Sequence, residues 1–392
     1  MNTIGLFAGI GGIEHGLVEG GMTTVQLCEI MPEARCVLQY HYPDIRIDED
    51  VTQLMDLAPA DVLAGGFPCQ NLSIAGNKQG ITGEQSSLVN EIFRLIENNR
   101  HPNFVLIENV ANIISLRKGE AIELITSRLS ALGYEWGYRL VDPRSFGIPQ
   151  RRPRFIFLAS NIMHPKDILF PIDEDVNASI DDKLNNNIED AYAYGFYWTE
   201  GKIGIGWAKD SIPPLKCGSS LGLPSSPAIW DIQNNFFGTP AVEDAERLQG
   251  FPENWTGILT ENGFKDNKRW KLLGNAVNTT VSNWIGNRIE HGIIERLNED
   301  RLYRTNLRPW PKAAISYNGG VMGVKASFYP NGINYTPITE FLNHPLNPLS
   351  LKATLGFEKR VLESELIKYP DSFKQSIRTY LRNQYDYVGQ DE

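Results

Sequence analysis

Residues 3–28 read TIGLFAGIGGIEHGLVEGGMTTVQLC. Thr3 to Phe7 has the length and apolar composition of a buried strand, and Thr24 to Cys28 forms a second such run rich in β-branched residues. Between them Phe7-Ala8-Gly9-Ile10-Gly11-Gly12 turns the chain into an apolar helix. Strand, glycine turn, helix and strand open a βαβ unit, whose crossover makes the two strands parallel. The alternation continues, with buried-strand patterns at Asp61–Ala64, Phe104–Ile107, Tyr138–Val141 and Phe155–Ala159. Helical patterns lie between them. Over Ala121–Leu132, for example, Ile122, Ile125, Leu129 and Leu132 share one stripe while Glu123 and Arg128 fall elsewhere. The expected fold class is α/β, a doubly wound, mostly parallel sheet with helices on both faces.

Composition bounds the function. The 392 residues are 42% hydrophobic and 21% charged, which is ordinary globular composition. At roughly 150 residues per domain the length predicts two or three domains. A net charge of −10 argues against a protein that coats nucleic acid by bulk charge, although a local basic groove is compatible with it. Cys28, Cys36, Cys69 and Cys217 form neither a CxxC pair nor a Cys/His metal spacing, so no metal site is expected and the setting reads as reducing and cytoplasmic. The absence of an apolar run of about 18 residues, and of a basic N-terminal region, predicts neither a membrane span nor a signal peptide.

The βαβ rhythm stops near residue 160. Pro171 to Asp190 carries seven carboxylates against one lysine and reads as a solvated linker or loop. Ala191 to Pro240, rich in Gly, Pro, Ser and aromatics, predicts a small irregular β-rich domain, and a helical pattern returns over Val277–Leu297. The expected division is 1–164, 165–273, a returning segment 274–297, and an extension 298–392. From Arg301 onward, 12 Lys plus Arg face 8 Asp plus Glu, net +4, leaving 25 against 39, net −14, for residues 1–300.

The residues with chemical potential cluster where strands end. Glycines after a first strand let backbone approach a ligand at the carboxyl edge of a sheet, but the spacing here departs from GxGxxG and so disfavours a dinucleotide pyrophosphate. Glu29, after the second strand, suits ribose hydroxyls, and Asp50 suits an adenine amino group; together they point to an adenosine-containing cofactor. Gly65-Gly66-Phe67-Pro68-Cys69-Gln70 presents a cysteine on a rigid turn, suited to nucleophilic attack as a thiolate. Glu108 ends the next strand. Further on, Gln150-Arg151-Arg152-Pro153-Arg154 leads into a strand, and period-two alternation puts Arg152 and Arg154 on one face, able to clamp a phosphate or hold a substrate carbonyl.

In order, Phe7-x-Gly9-x-Gly11, Pro68-Cys69-Gln70, Glu108-Asn109-Val110, Gln150-x-Arg152-x-Arg154, Arg247-Leu248-Gln249-Gly250-Phe251-Pro252 and Gly274-Asn275-Ala276-Val277 resemble the signature blocks of the DNA (cytosine-5)-methyltransferases. Six ordered blocks at compatible spacing are far more specific than any one. The resemblance covers residues 1 to about 292, apart from a variable stretch near 165–240. It implies an enzyme with a Rossmann-like fold that moves a methyl group from S-adenosylmethionine to C5 of a flipped-out cytosine in a specific sequence of double-stranded DNA, as in restriction-modification systems with a cognate restriction endonuclease. It further implies Cys69 as the nucleophile at C6, Glu108 at N3 and the exocyclic amine, Arg154 at the cytosine O2 and Arg152 at the adjoining phosphate or beside Cys69. For the cofactor it implies Phe7, Gly9 and Gly11 around the methionine part, Glu29 at the ribose, Ile30 at the adenine face, Asp50 and Val51 at the adenine edge, Pro68 and Leu88 as lining, and Asn275 and Val277 as closure.

Two departures stand out: Ala276 replaces the usual Ser, and the chain continues past the usual end of the catalytic core. Lys216, Ser219, Ser220, Ser225 and Ser226 are candidate readers of base edges and phosphates. In the tail, basic residues such as Arg304, Arg308 and Lys312 alternate with aromatics, which suggests that its first half extends a DNA cleft while its second half anchors on the catalytic domain. Competing readings are an RNA (tRNA) cytosine-C5 methyltransferase and a non-catalytic DNA- or partner-binding relative.

Overall fold

The computed structural model describes residues 1–68, 88–99, 102–184, 191–202, 204–217, 226–292 and 297–387. Its strands in chain order are β1 (Asn2–Leu6), β2 (Thr23–Cys28), β3 (Arg46–Asp48), β4 (Val62–Gly65), β5 (Phe104–Val110), β6 (Glu135–Val141), β7 (Arg154–Ser160), β8 (Ala193–Phe196), β9 (Ala208–Lys209), β10 (Ala228–Asp231), β11 (Phe236–Thr239), β12 (Leu302–Arg304), β13 (Ala314–Tyr317), β14 (Gly320–Val324) and β15 (Asn347–Pro348). The chain falls into two compact units. One comprises Met1–Phe146, Pro153–Ser179 and Val277–Ile333; the other comprises Gly147–Arg152, Ile180–Ala276 and Asn334–Glu392.

In the first unit, ten strands among the described residues form one sheet in the order β12-β14-β13-β6-β7-β5-β4-β1-β2-β3. The half from β5 to β3 is parallel throughout, as its βαβ crossovers require. Beyond β5 every ladder is antiparallel, so the sheet is mixed rather than mostly parallel. β6 and β7 are joined without a helical crossover, and β12–β14 form a meander. Apolar residues fill both faces. Helices Val89–Asn98 and Glu120–Ala131 cover one face with Ile92, Phe93, Ile96, Ile122, Ile125 and Leu129, and helices Gly12–Glu19 and Thr279–Glu290 cover the other with Ile13, Leu17, Val281 and Ile285.

The Gly12–Glu19 helix shows why its sequence is so rich in glycine. A Cβ at Gly12 would strike the Val277 carbonyl, and one at Gly16 the Thr279 carbonyl; at Gly20 it would lie 2.7 Å from the Asn287 amide. One i, i+4, i+8 glycine stripe therefore lets the late helix lie against the first. That helix starts at Thr279 rather than Val277, because Asn278 caps it, its side chain accepting from the Thr280 amide at 3.1 Å.

The acidic stretch after residue 170 is not all solvated. Glu174 is buried, its carboxylate bridging Arg139 (2.5 Å) and Arg301 (2.7 Å) and accepting from the Ser327 amide at 2.8 Å. Two guanidinium groups and Ser327 satisfy a charge that burial would otherwise make costly. Composition over a window could not show that one carboxylate of seven has core partners.

The tail divides. β12–β14 prolong the large sheet, and β14, β13, β6 and β7 separate β12 from β5, roughly 24 Å at about 4.8 Å per ladder. Arg308 pairs with Glu123 at 2.8 Å, and Lys312 lies 5.2 Å over the Phe328 ring. Residues 334–387 instead complete the second unit, so the expectation that the second half anchors on the catalytic domain is reversed. In that unit the sheet among the described residues runs β15-β11-β10-β8-β9. Helices Leu351–Leu362 and Asp371–Tyr385 pack Phe357 and Phe373 onto it, with ring centroids 5.0 Å for Phe196–Phe357 and 4.8 Å for Trp207–Phe373. Arg360 donates to the carbonyls of Trp198 (2.7 Å) and Glu200 (3.0 Å). Neither segment has this core without the other.

Candidate active site

Parallel pairing puts five strands in register. Asp48, Cys28, Leu6, Gly65 and Ile107 form one cross-strand row on β3, β2, β1, β4 and β5. The next residue of each strand is Glu49, Glu29, Phe7, Gly66 and Glu108, so sequence positions 7, 29, 66 and 108 become neighbours at the carboxyl edge, where α/β sheets bind ligands. Because β7 runs antiparallel to β5, its first residue, Arg154, reaches the same edge opposite Val110. The Arg154 Nε lies 3.2 Å from the Glu108 Oε1, with both side chains nearly buried. Asn109 fixes the neighbouring turn by donating from Nδ2 to the Phe67 carbonyl at 2.9 Å and accepting from the Val110 amide at 2.9 Å. Its part in positioning was not legible, since it depends on β5 lying beside the turn that follows β4.

Cys69 lies outside the described residues, as do Ser219, Ser220 and Ser225. Pro68, just before Cys69, is exposed, and the half-buried Leu88 packs with Phe7 against the core. Cys28 offers no rival nucleophile: burial pushes its thiol up to about 12, which keeps it protonated.

The glycine turn bends as its composition implies, with φ of +57° at Gly9 and +86° at Gly11. Phe7 has φ +56°, a region a bulky residue enters at a cost of order 1–3 kcal/mol, so the surrounding structure holds the turn in a set shape. Glu29 is buried beneath it. Its Oε2 accepts from the Gly9 amide at 2.7 Å and its Oε1 from the Met31 amide at 2.8 Å. Ile30 is 67% exposed, anomalous for a large apolar side chain. Asp50 receives the Thr52 amide (2.9 Å) and hydroxyl (2.8 Å). Val51 is buried in the core, its carbonyl accepting from Arg94 at 2.9 Å. Val277 joins this group: its carbonyl faces Gly12, and its Cγ2 would lie 3.6 Å from a Cβ at Gly66.

Arg152 and Asn275 belong to the second unit. β7 starts at Arg154, so strand alternation does not extend back to Arg152. Arg152 is buried and donates from Nη2 to the carbonyls of Gly274 (3.2 Å) and Ala276 (2.8 Å). Gln150 donates to the Leu248 carbonyl and Gln249 to the Leu273 carbonyl, at 2.9 and 2.8 Å. Three distant motifs are thus knitted together by side chains on backbone carbonyls. Asn275 is exposed at the end of helix Asp266–Asn275. Lys216, a candidate base reader, lies 3.6 Å over the Tyr197 ring and 3.3 Å from Glu200, while Ser226 is buried.

No helix among the described residues is long and apolar enough to cross a membrane, and no group of three or more His, Cys, Asp or Glu among them is placed to hold a metal. The chain is 44% identical to Type II methyltransferase M2.BsuMI of Bacillus subtilis (strain 168) over 96% of its own length and 97% of the relative's. It is 34% identical to Type II methyltransferase M.Bsp6I of Bacillus sp. (strain RFL6) over 50% of this chain and 64% of that one. Among solved structures, the Dnmt2 methyltransferase of S. pombe shares the fold with a TM-score of 0.55 at 19% identity, over 74% of this chain and 99% of that one. The profile of the C-5 cytosine-specific DNA methylases matches residues 1–201, and with the full-length relative it establishes that this chain belongs to that family of DNA-modifying enzymes.

Proposed function

We propose that the protein transfers a methyl group from S-adenosylmethionine to C5 of a flipped cytosine within a specific sequence of duplex DNA, through a transient bond between Cys69 and C6. The observation that most supports this reading is the Glu108–Arg154 pair at the sheet edge, one strand from the turn that leads to Cys69.

The residues at the edge fit the cofactor. Each oxygen of Glu29 already accepts one backbone N–H and retains lone-pair capacity, which suits two vicinal ribose hydroxyls. Ile30 presents an uncovered apolar face of the kind an adenine ring would cover, and the turn Phe7–Gly11, with Val277 behind it, would take the methionine part. Asp50 is assigned to the adenine edge, Pro68 and Leu88 to the lining and Asn275 to closure; Val51 would act through its backbone, its side chain being in the core. When bound, S-adenosylmethionine supplies an electrophilic methyl group to the ring carbon.

The chain's own groups do the rest. C5 of cytosine is a weak nucleophile until the Cys69 thiolate adds to C6, which moves an electron pair into the ring toward N3. Glu108 would hold N3 and the exocyclic amine as that charge develops, supplying a proton to N3, while Arg154 holds both Glu108 and the cytosine O2. After the methyl is in place, loss of the C5 proton to a base, expulsion of the thiolate and return of the N3 proton to Glu108 restore the aromatic ring. Arg152 would act at one remove, by holding the Gly274–Val277 block. These groups reach the base only once it has left the stack.

Duplex DNA is the assigned substrate, and the kinship with Type II methyltransferases supports a cognate restriction endonuclease that cuts the same sequence. The test is direct. Purified protein is given labelled cofactor with unmethylated duplex DNA or with total tRNA, and the product is mapped at base resolution. Methylation of one DNA sequence at C5 is expected; labelled tRNA with unlabelled DNA would establish the RNA reading, and labelling of neither the non-catalytic one.

A further inference from the structure

The nucleoside side of the site contains a clamp that belongs to none of the signature blocks. Arg35 stands in the first turn of helix Pro32–His41. A cation there opposes the helix dipole, so its placement calls for another explanation. Its guanidinium reaches back over the helix start: Nη1 donates to the carbonyls of Glu29 (3.1 Å) and Ile30 (2.7 Å), and Nη2 pairs with the Glu49 Oε1 at 3.0 Å. Glu29 and Glu49 are adjacent members of the row that follows β2 and β3. The backbone joins them once at that level, through the Glu29 amide and the Asp48 carbonyl at 3.0 Å. Arg35 adds a fork across the same two loops.

The fork turns the Glu29 and Ile30 carbonyls toward the helix and thereby sets where their side chains point. This matters most for Ile30, which is 67% exposed and has little packing of its own to orient it. The Arg35 side chain is itself only 15% exposed. Its charge lies beside Glu29 and Glu49, with Asp48 and Asp50 flanking Glu49 in sequence, and so offsets the repulsion that would spread the two loops apart.

We propose that Arg35 is the positioning residue for the nucleoside half of the cofactor, acting through Glu29 and Ile30 without touching the ligand. The inference rests on the adenosine-cofactor reading above. It requires a planar fork with two reaching ends, which a lysine supplies only in part.

The experiment compares wild type, Arg35→Lys, Arg35→Ala and Glu49→Gln by calorimetric titration with S-adenosylhomocysteine and by steady-state methylation of duplex DNA. Arg35→Ala is expected to weaken the ligand about tenfold or more and raise the cofactor KM in parallel, as for loss of ground-state binding, with kcat at saturation and the DNA KM within about twofold of wild type. Arg35→Lys should fall between, and Glu49→Gln should lose about two- to threefold. Ligand affinity within about twofold in folded Arg35→Ala would overturn the inference, as would an equal fall in kcat and kcat/KM with unchanged ligand affinity. If Arg35→Ala does not fold, Glu49→Gln decides, since that side chain is 73% exposed and dispensable for folding; unchanged affinity there overturns the clamp. Failure of wild type itself to bind the ligand would instead reject the cofactor reading.

Discussion

The carboxyl group of Glu14 occupies the space that a side chain at Gly5 would need: a Cβ built on that strand residue would collide with the Glu14 carboxylate, brought in from the following helix. Glu14 is 1% exposed, and among the described residues neither carboxylate oxygen has a side-chain or backbone hydrogen-bond partner. Burial, with some repulsion from Glu29, pushes its pKa up to about 8. The folded protein therefore keeps this acid neutral where the unfolded chain ionises it.

The sign of the consequence is fixed. Between the ordinary value of 4.5 and about 8 the folded state binds the extra proton, so stability falls with rising pH by about 1.4 kcal/mol per unit; it is flat below and above that window. Glu14→Gln should match wild type near pH 4.5 and exceed it by roughly 3–5 kcal/mol above pH 8. Urea melts of both proteins from pH 5 to 9 measure this, and parallel curves would place the buried acid in another ionisation state.

Close approach of the first and last helices depends on missing side chains. Gly16→Ala sets a Cβ against the Thr279 carbonyl and 2.7 Å from the Asn283 amide, backbone that cannot step aside. A loss of about 1–3 kcal/mol or more is expected. Gly356→Ala is the contrast: it lies inside helix Leu351–Leu362 and would meet nothing nearer than the flexible Arg360 Nη1 at 3.4 Å. It should gain roughly 0.4–1 kcal/mol. Thermal melts that move both variants in the same direction would contradict the packing described.

On the proposed mechanism, the nucleophile and the acid should separate kinetically from cofactor binding. Cys69→Ser should abolish turnover with ligand affinity largely intact, and a rate within about tenfold of wild type, some 1.4 kcal/mol of barrier, rejects the assignment. Glu108→Gln should lower kcat by about 10²- to 10⁴-fold. Duplex with 5-fluorocytosine at the target should form a denaturation-resistant adduct with wild type, because fluorine cannot leave as a proton does, and none with Cys69→Ser.

Site choice should travel with the second unit as a whole. Replacing residues 180–276 by those of a relative leaves Phe357, Phe373 and Arg360 facing a foreign sheet, and an insoluble or unstable protein is expected. Replacing 180–276 together with 334–392 should give a soluble enzyme with a different methylated sequence and the same product. A well-behaved exchange of the first segment alone would show that the aromatic core is not shared.

Ordered motifs singled out Cys69, Glu108 and Arg154 as candidates, and local pattern was enough for the parallel half of the sheet and the Phe7–Gly12 turn, because buried strands and glycine turns are short-range signals. Their bounds moved by a few residues, as for β5, which extends through Glu108 to Val110. What sequence alone did not decide is long-range. That Arg35 spans Glu29, Ile30 and Glu49, that Glu174 is a core anchor within an acidic run, and that Arg152 serves backbone carbonyls all depend on which segment the fold brings alongside. The tail illustrates the limit best: charge and aromatics suggested that its first half extends a DNA cleft and its second half anchors on the catalytic domain, yet the first half prolongs the large sheet and Phe357, Phe373 and Tyr380 of the second are buried against β8, β10 and β11. Alternation can show that a face is apolar. Only the tertiary structure chooses the surface that covers it, since many surfaces bury the same area and their shapes and polar partners settle the choice.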